Sequence, residues 1–206
     1  EGYEIITALD GDAAIEAVES EPLDLVILDI MLPGKDGWEV LREIRRKPEG
    51  QYLPVIFLTA KDSEVDEVVG LELGADDYII KPISIRKLQA RVKTVLRKSA
   101  KQQEEPSGKI HFGHFEIDPT SYIAKVEGSA INLTKKEFEI LAYLAKRPGR
   151  VITRDILLNE IWGDDVVVID RTIDVHIRKI REKLGEEYMN LIETIKGVGY
   201  RFKVDD

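Results

Sequence analysis

Cysteine is absent from the sequence, which excludes a disulfide framework, cysteine-ligated zinc and a thiol nucleophile. Long apolar runs are absent too, since the longest, residues 25–32, is broken by Asp29 and is far shorter than the roughly 20 residues that span a bilayer. The chain opens without a basic stretch followed by an apolar one, so we expect neither a signal peptide nor a membrane partner. These absences favour a cytoplasmic protein.

Positive charge is in the minority, with 30 Lys and Arg against 39 Asp and Glu, but the imbalance is local. Residues 1–98 carry a net charge of -7, whereas residues 109–206 carry only -1. Uniform acidity would repel the phosphates of a nucleic acid. A nucleic-acid partner therefore requires a local basic patch, and the nearly neutral second half can carry one.

Residues 99–108, SAKQQEEPSG, lack apolar periodicity and are rich in residues that do not build a core. This composition is typical of a linker. It predicts two domains, over residues 1–98 and 109–206, each close to the usual domain size of about 100 residues.

In the first part, short apolar runs alternate with amphipathic segments. The pattern predicts strands over residues 4–8, 24–29, 54–59 and 77–80. It predicts helices over residues 12–20, with Asp12 as N-cap, and over 37–46, 63–73 and 84–98. The run at residues 25–28 shows no polar alternation, as expected of a strand covered on both faces. These features favour an α/β domain with a parallel sheet.

The second part has a different pattern. Residues 110–131 alternate and are punctuated by turn residues, which predicts a small antiparallel sheet. A capping box at residues 134–137 opens one helix, a second runs from near Thr153 to Trp162, and a third begins at Asp170. The third has an apolar stripe of Ile173, Ile177, Ile180 and Leu184. Two strands around a glycine turn, residues 191–195 and 200–204, complete a winged helix-turn-helix.

Asp29, Thr59 and Lys81 each come at the carboxyl end of a predicted strand. Ligands of open parallel sheets bind at this edge, so the three side chains can meet one small anionic group. The carboxylate can attack phosphorus, while the ammonium and the hydroxyl hold phosphoryl oxygens. A cis Lys81–Pro82 bond could fix the direction of the lysine. The alternative is that Asp29 merely ends a strand and Lys81 is solvated, but three such residues on successive strand ends disfavour it.

The segments LVILDIMLPGKDGWEV, PVIFLTA and LGADDYIIKP closely resemble the receiver domain of two-component response regulators. The resemblance implies that Asp29 accepts a phosphoryl group from a histidine kinase, and that Asp29 and the Met31 carbonyl help to hold Mg²⁺. It also implies that Lys81 and Thr59 contact the phosphoryl group. Thr59 and Tyr78 would form the switch pair.

The sequence departs from the family pattern at its start. A receiver begins with a strand, an acidic pair that completes the Mg²⁺ site, and a helix, and none of these precedes Glu1. The missing strand would lie between the predicted strands 4–8 and 24–29, and its removal leaves backbone groups unpaired. We therefore expect the natural protein to be longer at its N-terminus. Mg²⁺ binding and phosphorylation depend on that segment.

The resemblance also implies a homodimer face formed by charge pairs: Glu72 with Lys93, Asp77 with Arg91, and Glu67 with Lys87. The last pair has its signs reversed relative to the usual family order. Such a reversal preserves self-pairing and disfavours pairing with conventional relatives. The alternative is that two surface charges have drifted and contribute about 0 to 1 kcal/mol.

The third helix of the second part is basic. Five Lys or Arg lie between Arg171 and Lys183, against Asp174 and Glu182. Opposite the apolar stripe lie Arg171, Val175, Arg178 and Lys179, with Thr172 beside them, while His176, Arg181 and Lys183 flank the stripe. Such a surface suits a major groove, where cations meet phosphates and guanine edges and Val175 meets a thymine methyl. A charge-rich helix is more often just a solvated face, and the helix alone favours that alternative.

The surroundings favour the DNA-binding interpretation. Lys196, Arg201 and Lys203 lie on the terminal hairpin with no acid between them, as suits phosphates or a minor groove. The strings NLTKKEFEILAYL, VITRDILLNEIWG, RTIDVHIRKIREKL and IKGVGYRF resemble the winged-helix DNA-binding domain of the OmpR/PhoB class. The resemblance assigns to the recognition helix Arg171, Thr172, Val175, Arg178, Lys179 and Arg181. It assigns Arg201 to the wing.

Three further residues or segments carry expectations. The loop at residues 163–169 would face RNA polymerase, as the resemblance implies. Trp162 is expected to anchor the core and His176 to contact a phosphate. His111 and His114 lie in another element, so a metal site involving His176 is disfavoured.

Together these features predict a bacterial transcription regulator, not an enzyme. We expect phosphorylation at Asp29 to stabilise a homodimer, and the dimer to place two recognition helices on direct repeats in double-stranded DNA. One alternative is a winged-helix regulator that works without phosphorylation. Another is a phosphatase-like enzyme that uses Asp29 as a turnover nucleophile, although a second acid to activate water is not visible.

Overall fold

The computed structural model of the chain describes residues 2–47, 50–60, 74–102, 108–163 and 171–203. The chain divides into two units, Glu1–Lys93 and Thr94–Asp206, and each has its own buried apolar cluster. Within the described ranges, no helix combines the length and apolarity needed to cross a membrane.

The first unit is built on a parallel sheet. Strands β1 (Val26–Asp29), β2 (Val55–Thr59) and β3 (Asp77–Ile80) lie in the order β1-β2-β3. The helices are α1 (Gly11–Ser20), α2 (Gly37–Arg46) and α3 (Ile85–Gln102). Phe57, fully buried on the central strand, packs in one cluster with Leu41 and Ile44 of α2. The predicted parallel α/β fold is confirmed.

Two expectations for this unit are wrong. Residues 2–9 form no strand, and the side chains of Ile5 and Leu9 are each 81% exposed. Apolar alternation is a local signal, whereas a strand exists only through ladder partners, and residues 2–9 have none in the described part of the chain. The N-cap of α1 is Asp10, which accepts from the Ala13 amide at 2.9 Å, and Asp12 lies in the first turn. The helix predicted over residues 63–73 lies outside the described residues.

The predicted linker is partly helical. Helix α3 continues to Gln102, so residues 99–102 of the predicted linker 99–108 belong to it, and residues 103–107 are outside the described ranges. The two units divide between Lys93 and Thr94, within α3. The domain limits 1–98 and 109–206 stay predictions.

The second unit begins with a four-stranded antiparallel sheet. Its strands, in spatial order, are β4 (Ile110–Phe112), β5 (Phe115–Asp118), β6 (Ile123–Val126) and β7 (Ser129–Ile131). Three helices follow: α4 (Lys135–Ala145), α5 (Arg154–Trp162) and α6 (Arg171–Tyr188). A second sheet has the order β8-β10-β9, formed by Val151–Thr153, Gly199–Phe202 and Ile192–Ile195.

Local sequence signals explain these boundaries. The predicted capping box is present: the Thr134 amide donates to Glu137 at 2.7 Å, and the Glu137 amide donates to Thr134 Oγ1 at 3.4 Å. Gly185 interrupts α6 with a φ of 78°, which is a backbone conformation that favours glycine. A Cβ on Gly199 would collide with the Ile152 carbonyl, so glycine permits β8 and β10 to pair. The predicted winged helix-turn-helix is confirmed.

Candidate functional sites

The carboxyl edge of the first sheet brings together two of the three residues predicted there. Asp29 ends β1, and Lys81 follows β3 and donates its backbone amide to the Thr59 carbonyl of β2 at 2.7 Å. The Nζ of Lys81 also donates to Oδ2 of Asp29. Thr59 ends β2, but its side chain is buried and its hydroxyl donates to the Ala60 carbonyl at 3.2 Å.

The Asp29 carboxylate is both held and accessible. Its side chain is 31% exposed, and Oδ1 accepts the Met31 amide at 3.1 Å. Behind it, Gly37 starts α2 against the Asp29 carbonyl, where a side chain would clash. The Lys81–Pro82 bond is cis, as its position suggested. A fixed carboxylate beside an ammonium can attack an electrophile while the cation offsets the incoming negative charge.

Tyr78, the predicted switch partner of Thr59, is half-buried. It lies opposite Phe57 in the β2–β3 register, and the two rings stack with centroids 5.7 Å apart. The ring therefore packs against the core in this structure.

The basic helix α6 divides into a core face and an outer face. The four stripe residues are buried as predicted, and Trp162 is buried beside them. Arg178 is exposed on the outer face, with Val175 and Lys179 half-buried. Arg171 begins the helix, but its side chain lies outside the described set.

For Thr172 and His176 the predicted contact with DNA is wrong. The structure buries both side chains, so neither is accessible to a duplex. Each precedes an isoleucine of the stripe, so the buried arc of α6 is two positions wide, as a core-facing helix often requires. The His176 ring packs on Trp162, with centroids 5.4 Å apart. Burial, aided by the nearby charges of Lys136 and Lys183, lowers the pKa of His176 to about 3, so the ring is neutral.

Arg181 makes contacts within its own unit, and its predicted contact with DNA stays a prediction. Its guanidinium donates to the Ile192 carbonyl at 2.7 Å and to Thr194 Oγ1 at 2.8 Å, both on β9. It therefore joins α6 to β9 of the terminal hairpin. On the wing, Arg201 contacts Glu193, whereas Lys196 is exposed in the turn and has no ion pair within the described ranges.

Comparisons with known proteins identify both units. The family model described as "Response regulator receiver domain" matches residues 1–93, and "Transcriptional regulatory protein, C terminal" matches residues 128–202. The response regulator DrrB of Thermotoga maritima, an OmpR/PhoB homologue, is 38% identical over 89% of this chain and 81% of its own, with a TM-score of 0.43. The chain belongs to the OmpR/PhoB class of response regulators.

Two further solved structures are similar to this response regulator. A mutant of the protein RitR has a TM-score of 0.75 at 24% identity, covering 96% of this chain and 86% of its own, which indicates a shared fold. The receiver domain of the Pseudomonas aeruginosa PAO1 histidine kinase PA1611 is 32% identical over 47% of this chain and 79% of its own, with a TM-score of 0.44. That structure holds a magnesium ion in the active site cleft.

In this response regulator, the donors for a metal are few. Among the described residues, no three His, Cys, Asp or Glu side chains form a group that could hold an ion. The Asp29 carboxylate and the Met31 carbonyl are two such donors, and the hydrogen bond from the Met31 amide to Asp29 Oδ1 keeps the two residues adjacent. Mg²⁺ commonly takes one or two carboxylates together with waters and phosphate oxygens, so these two donors fit part of such a site.

The predicted dimer contacts are only partly described. Glu67 and Glu72 lie outside the described residues, and Lys87 and Lys93 are exposed on α3. For Asp77 and Arg91, a pair across two subunits stays a prediction. They form an ion pair within one chain at 3.0 Å, because α3 places the arginine over the start of β3. A bridge between subunits would have to open this pair.

The sequence reasoning missed one network in the response regulator. Asp174 Oδ1 accepts from the Tyr200 hydroxyl at 2.5 Å and from Arg154 Nε at 2.7 Å, and Arg154 Nη2 donates to that hydroxyl at 3.3 Å. Burial and the bond to Asp174 raise the pKa of Tyr200 to about 12. The network joins α5, α6 and β10, and no local sequence signal predicts it, since its members are 20 to 46 residues apart.

The loop expected to face RNA polymerase lies, beyond Gly163, outside the described residues.

Proposed function

We propose that a sensor histidine kinase transfers a phosphoryl group to Asp29 and that the phosphorylated chains pair to bind direct repeats in double-stranded DNA. The observation that supports the first step is the accessible Asp29 carboxylate in contact with the Lys81 ammonium at the sheet edge. The family supports the rest, since receivers coupled to DNA-binding domains are two-component transcription regulators.

In the transfer step, a carboxylate oxygen of Asp29 attacks the phosphorus atom of the phosphohistidine. The new P–O bond forms as the P–N bond breaks, and the leaving imidazole nitrogen recovers the electron pair. Lys81 then moves from Oδ2 of Asp29 to a phosphoryl oxygen, and the Thr59 hydroxyl turns from the Ala60 carbonyl towards another. Mg²⁺, held in part by Asp29 and the Met31 carbonyl, would offset the charge of the transferring group.

In the DNA step, Val175, Arg178 and Lys179 on the outer face of α6 enter the major groove, and Lys196 on the wing meets a phosphate. One subunit makes few contacts, so its binding is weak. Pairing makes the second contact effectively intramolecular, which raises the overall affinity. Direct repeats then place both recognition helices on the same duplex, and RNA polymerase would be recruited from the loop before α6.

Incubation of the full-length natural protein with acetyl phosphate and Mg²⁺, followed by intact mass measurement, tests the first step. We expect one acid-stable, base-labile phosphoryl group on the wild type and none on Asp29→Asn. The matched control is Asp36→Asn, because Asp36 caps α2 beside the site and Asn preserves a cap. Failure of the wild type to incorporate phosphate, or incorporation by Asp29→Asn, contradicts the proposal.

A second candidate is DNA binding without phosphorylation. Among the described residues, no three metal-ligating side chains form a group, and this favours the second candidate because phosphoryl transfer uses a metal ion. Measuring the affinity for one duplex before and after acetyl phosphate treatment distinguishes the two. Equal affinities favour this candidate, and a rise confined to the phosphorylated dimer favours the first.

A further inference from the structure

Two glutamates each hold two of the cations available to DNA. On α6, Glu182 lies 3.6 Å from Arg178 Nε and 3.3 Å from Lys179 Nζ. On the wing, Glu193 accepts from Arg201 Nε at 2.9 Å and lies 3.8 Å from Lys203 Nζ. The same arrangement therefore occurs on the recognition helix and on the hairpin.

These carboxylates lie at the surface. The hydrogen bond from Arg201 lowers the pKa of Glu193, so this side chain carries its charge at neutral pH. Both glutamates are partly exposed, and exposed ion pairs are weak and easily exchanged. A DNA phosphate can therefore displace them, but each displaced carboxylate then lies near the negatively charged duplex.

We propose that Glu182 and Glu193 compete with DNA phosphates for the binding cations and so weaken the DNA affinity of a single subunit. This inference rests on the proposed DNA-binding function. The competition is independent of base sequence, because it acts on the phosphate contacts. Its consequence is that stable binding requires two linked subunits, which makes occupancy depend on pairing.

The competition has a signature in the salt dependence. A cation that contacts a phosphate releases counterions, and the slope of log affinity against log salt is about -0.9 for each contact. A glutamate displaced from its cations attracts a counterion in turn and cancels part of this release. Removing its charge should therefore make the slope steeper, by up to about one for each glutamate.

The test uses the full chain and a 30-base-pair duplex of mixed sequence without repeats, in fluorescence anisotropy titrations at several NaCl concentrations. The variant is Glu182→Gln with Glu193→Gln. We expect its affinity to rise about 3- to 30-fold at low salt, with a steeper slope. The control is Glu186→Gln with Glu187→Gln, which removes the same charge from exposed residues that have no ion pair in the described ranges.

A rise of equal size in the control overturns the proposal, since net charge would then account for it. An unchanged or lower affinity of the test variant also overturns it, because the glutamates would then only orient the cations. If the wild type and all variants ignore DNA at low salt, the DNA-binding function itself fails. The affinity for tandem half-sites is also compared with that for a single half-site. If this ratio is smaller in the test variant than in the wild type, the dependence on pairing is supported.

Discussion

Lys81 Nζ donates to Asp29 Oδ2 across the sheet edge, although the two residues are 52 positions apart in the sequence. The β1-β2-β3 order creates this contact, because the parallel strands end at one edge. The lysine is therefore placed to follow the negative charge from the carboxylate to an incoming phosphoryl group.

Replacing this lysine should slow phosphorylation. We expect Lys81→Ala to reduce the rate of acyl phosphate formation from acetyl phosphate by about a hundredfold, because an aligned cation is lost where charge develops. The rate is followed by intact mass. Lys87→Ala, which removes an exposed lysine of α3, should react at the wild-type rate. Equal rates for Lys81→Ala and the wild type would contradict the assigned role.

Arg45 fixes the opposite end of the sheet. Its guanidinium donates to the Gly50 and Leu53 carbonyls at 2.7 Å and to Asp76 Oδ2 at 3.0 Å, and that same oxygen accepts the Val55 amide. Both charged side chains are largely buried. Removing one partner leaves the other charge uncompensated, so Arg45→Met should lower the free energy of unfolding by about 3 kcal/mol or more.

Urea unfolding of the full chain measures this loss. Arg46→Met is the matched control, since it makes the same change at an exposed position on the same helix. A similar small effect of both substitutions would show that the Arg45 network contributes little.

The features predictable from the sequence are those with short-range signals. The spacing of Thr134 and Glu137 predicts the start of α4. Asp29 is recognisable because an uninterrupted apolar run ends at it. The placement of Asp29 and Lys81 at one edge follows from the rule that parallel strands expose their carboxyl ends together.

The features that sequence reasoning missed depend on distant partners. His176 has the spacing of a flanking polar residue, but Trp162 packs on its ring, and the local sequence does not indicate that Arg181 donates to the Ile192 carbonyl of β9. Residues 2–9 have the composition of a strand but no ladder partner among the described residues. Such outcomes are set by tertiary contacts, which periodicity does not encode.

Tyr200 should confer a pH dependence on stability. Its folded pKa of about 12 lies above its ordinary value of about 10, so the folded state retains its proton over a range in which the unfolded state loses it. The stabilisation is complete below pH ~10 and is lost as the pH rises towards ~12. Tyr200→Phe should remove this component and weaken the connection to Asp174, at a cost of about 1 kcal/mol at neutral pH. If the free energy of unfolding falls by the same amount between pH 8 and pH 11 in Tyr200→Phe and in the wild type, the prediction is contradicted.

His176 should act in the acidic range. Its folded pKa of about 3 lies below its ordinary value, so between these values the unfolded state binds a proton that the folded state does not. The contribution of the neutral His176 to the free energy of unfolding is fully present above pH ~6.5. It falls as the pH drops, by up to about 1.4 kcal/mol for each pH unit. His176→Phe should reduce this dependence between pH 7 and 5 in urea unfolding, whereas His111→Gln, at an exposed site, should not. Identical profiles for His176→Phe and the wild type would exclude the role.

Lys179 and Lys196 should differ in what they contribute to DNA binding. Lys179 lies on the outer face of α6, where it can reach base edges, so Lys179→Ala should relax sequence preference. Lys196 is exposed in the wing turn, and we propose that it contacts a DNA phosphate, so Lys196→Ala should weaken all sequences alike and reduce the salt slope by about one. Selection from a random duplex library, followed by titration of selected and scrambled duplexes, separates the two effects. Equal losses on both duplexes for Lys179→Ala would show that it contacts phosphates only.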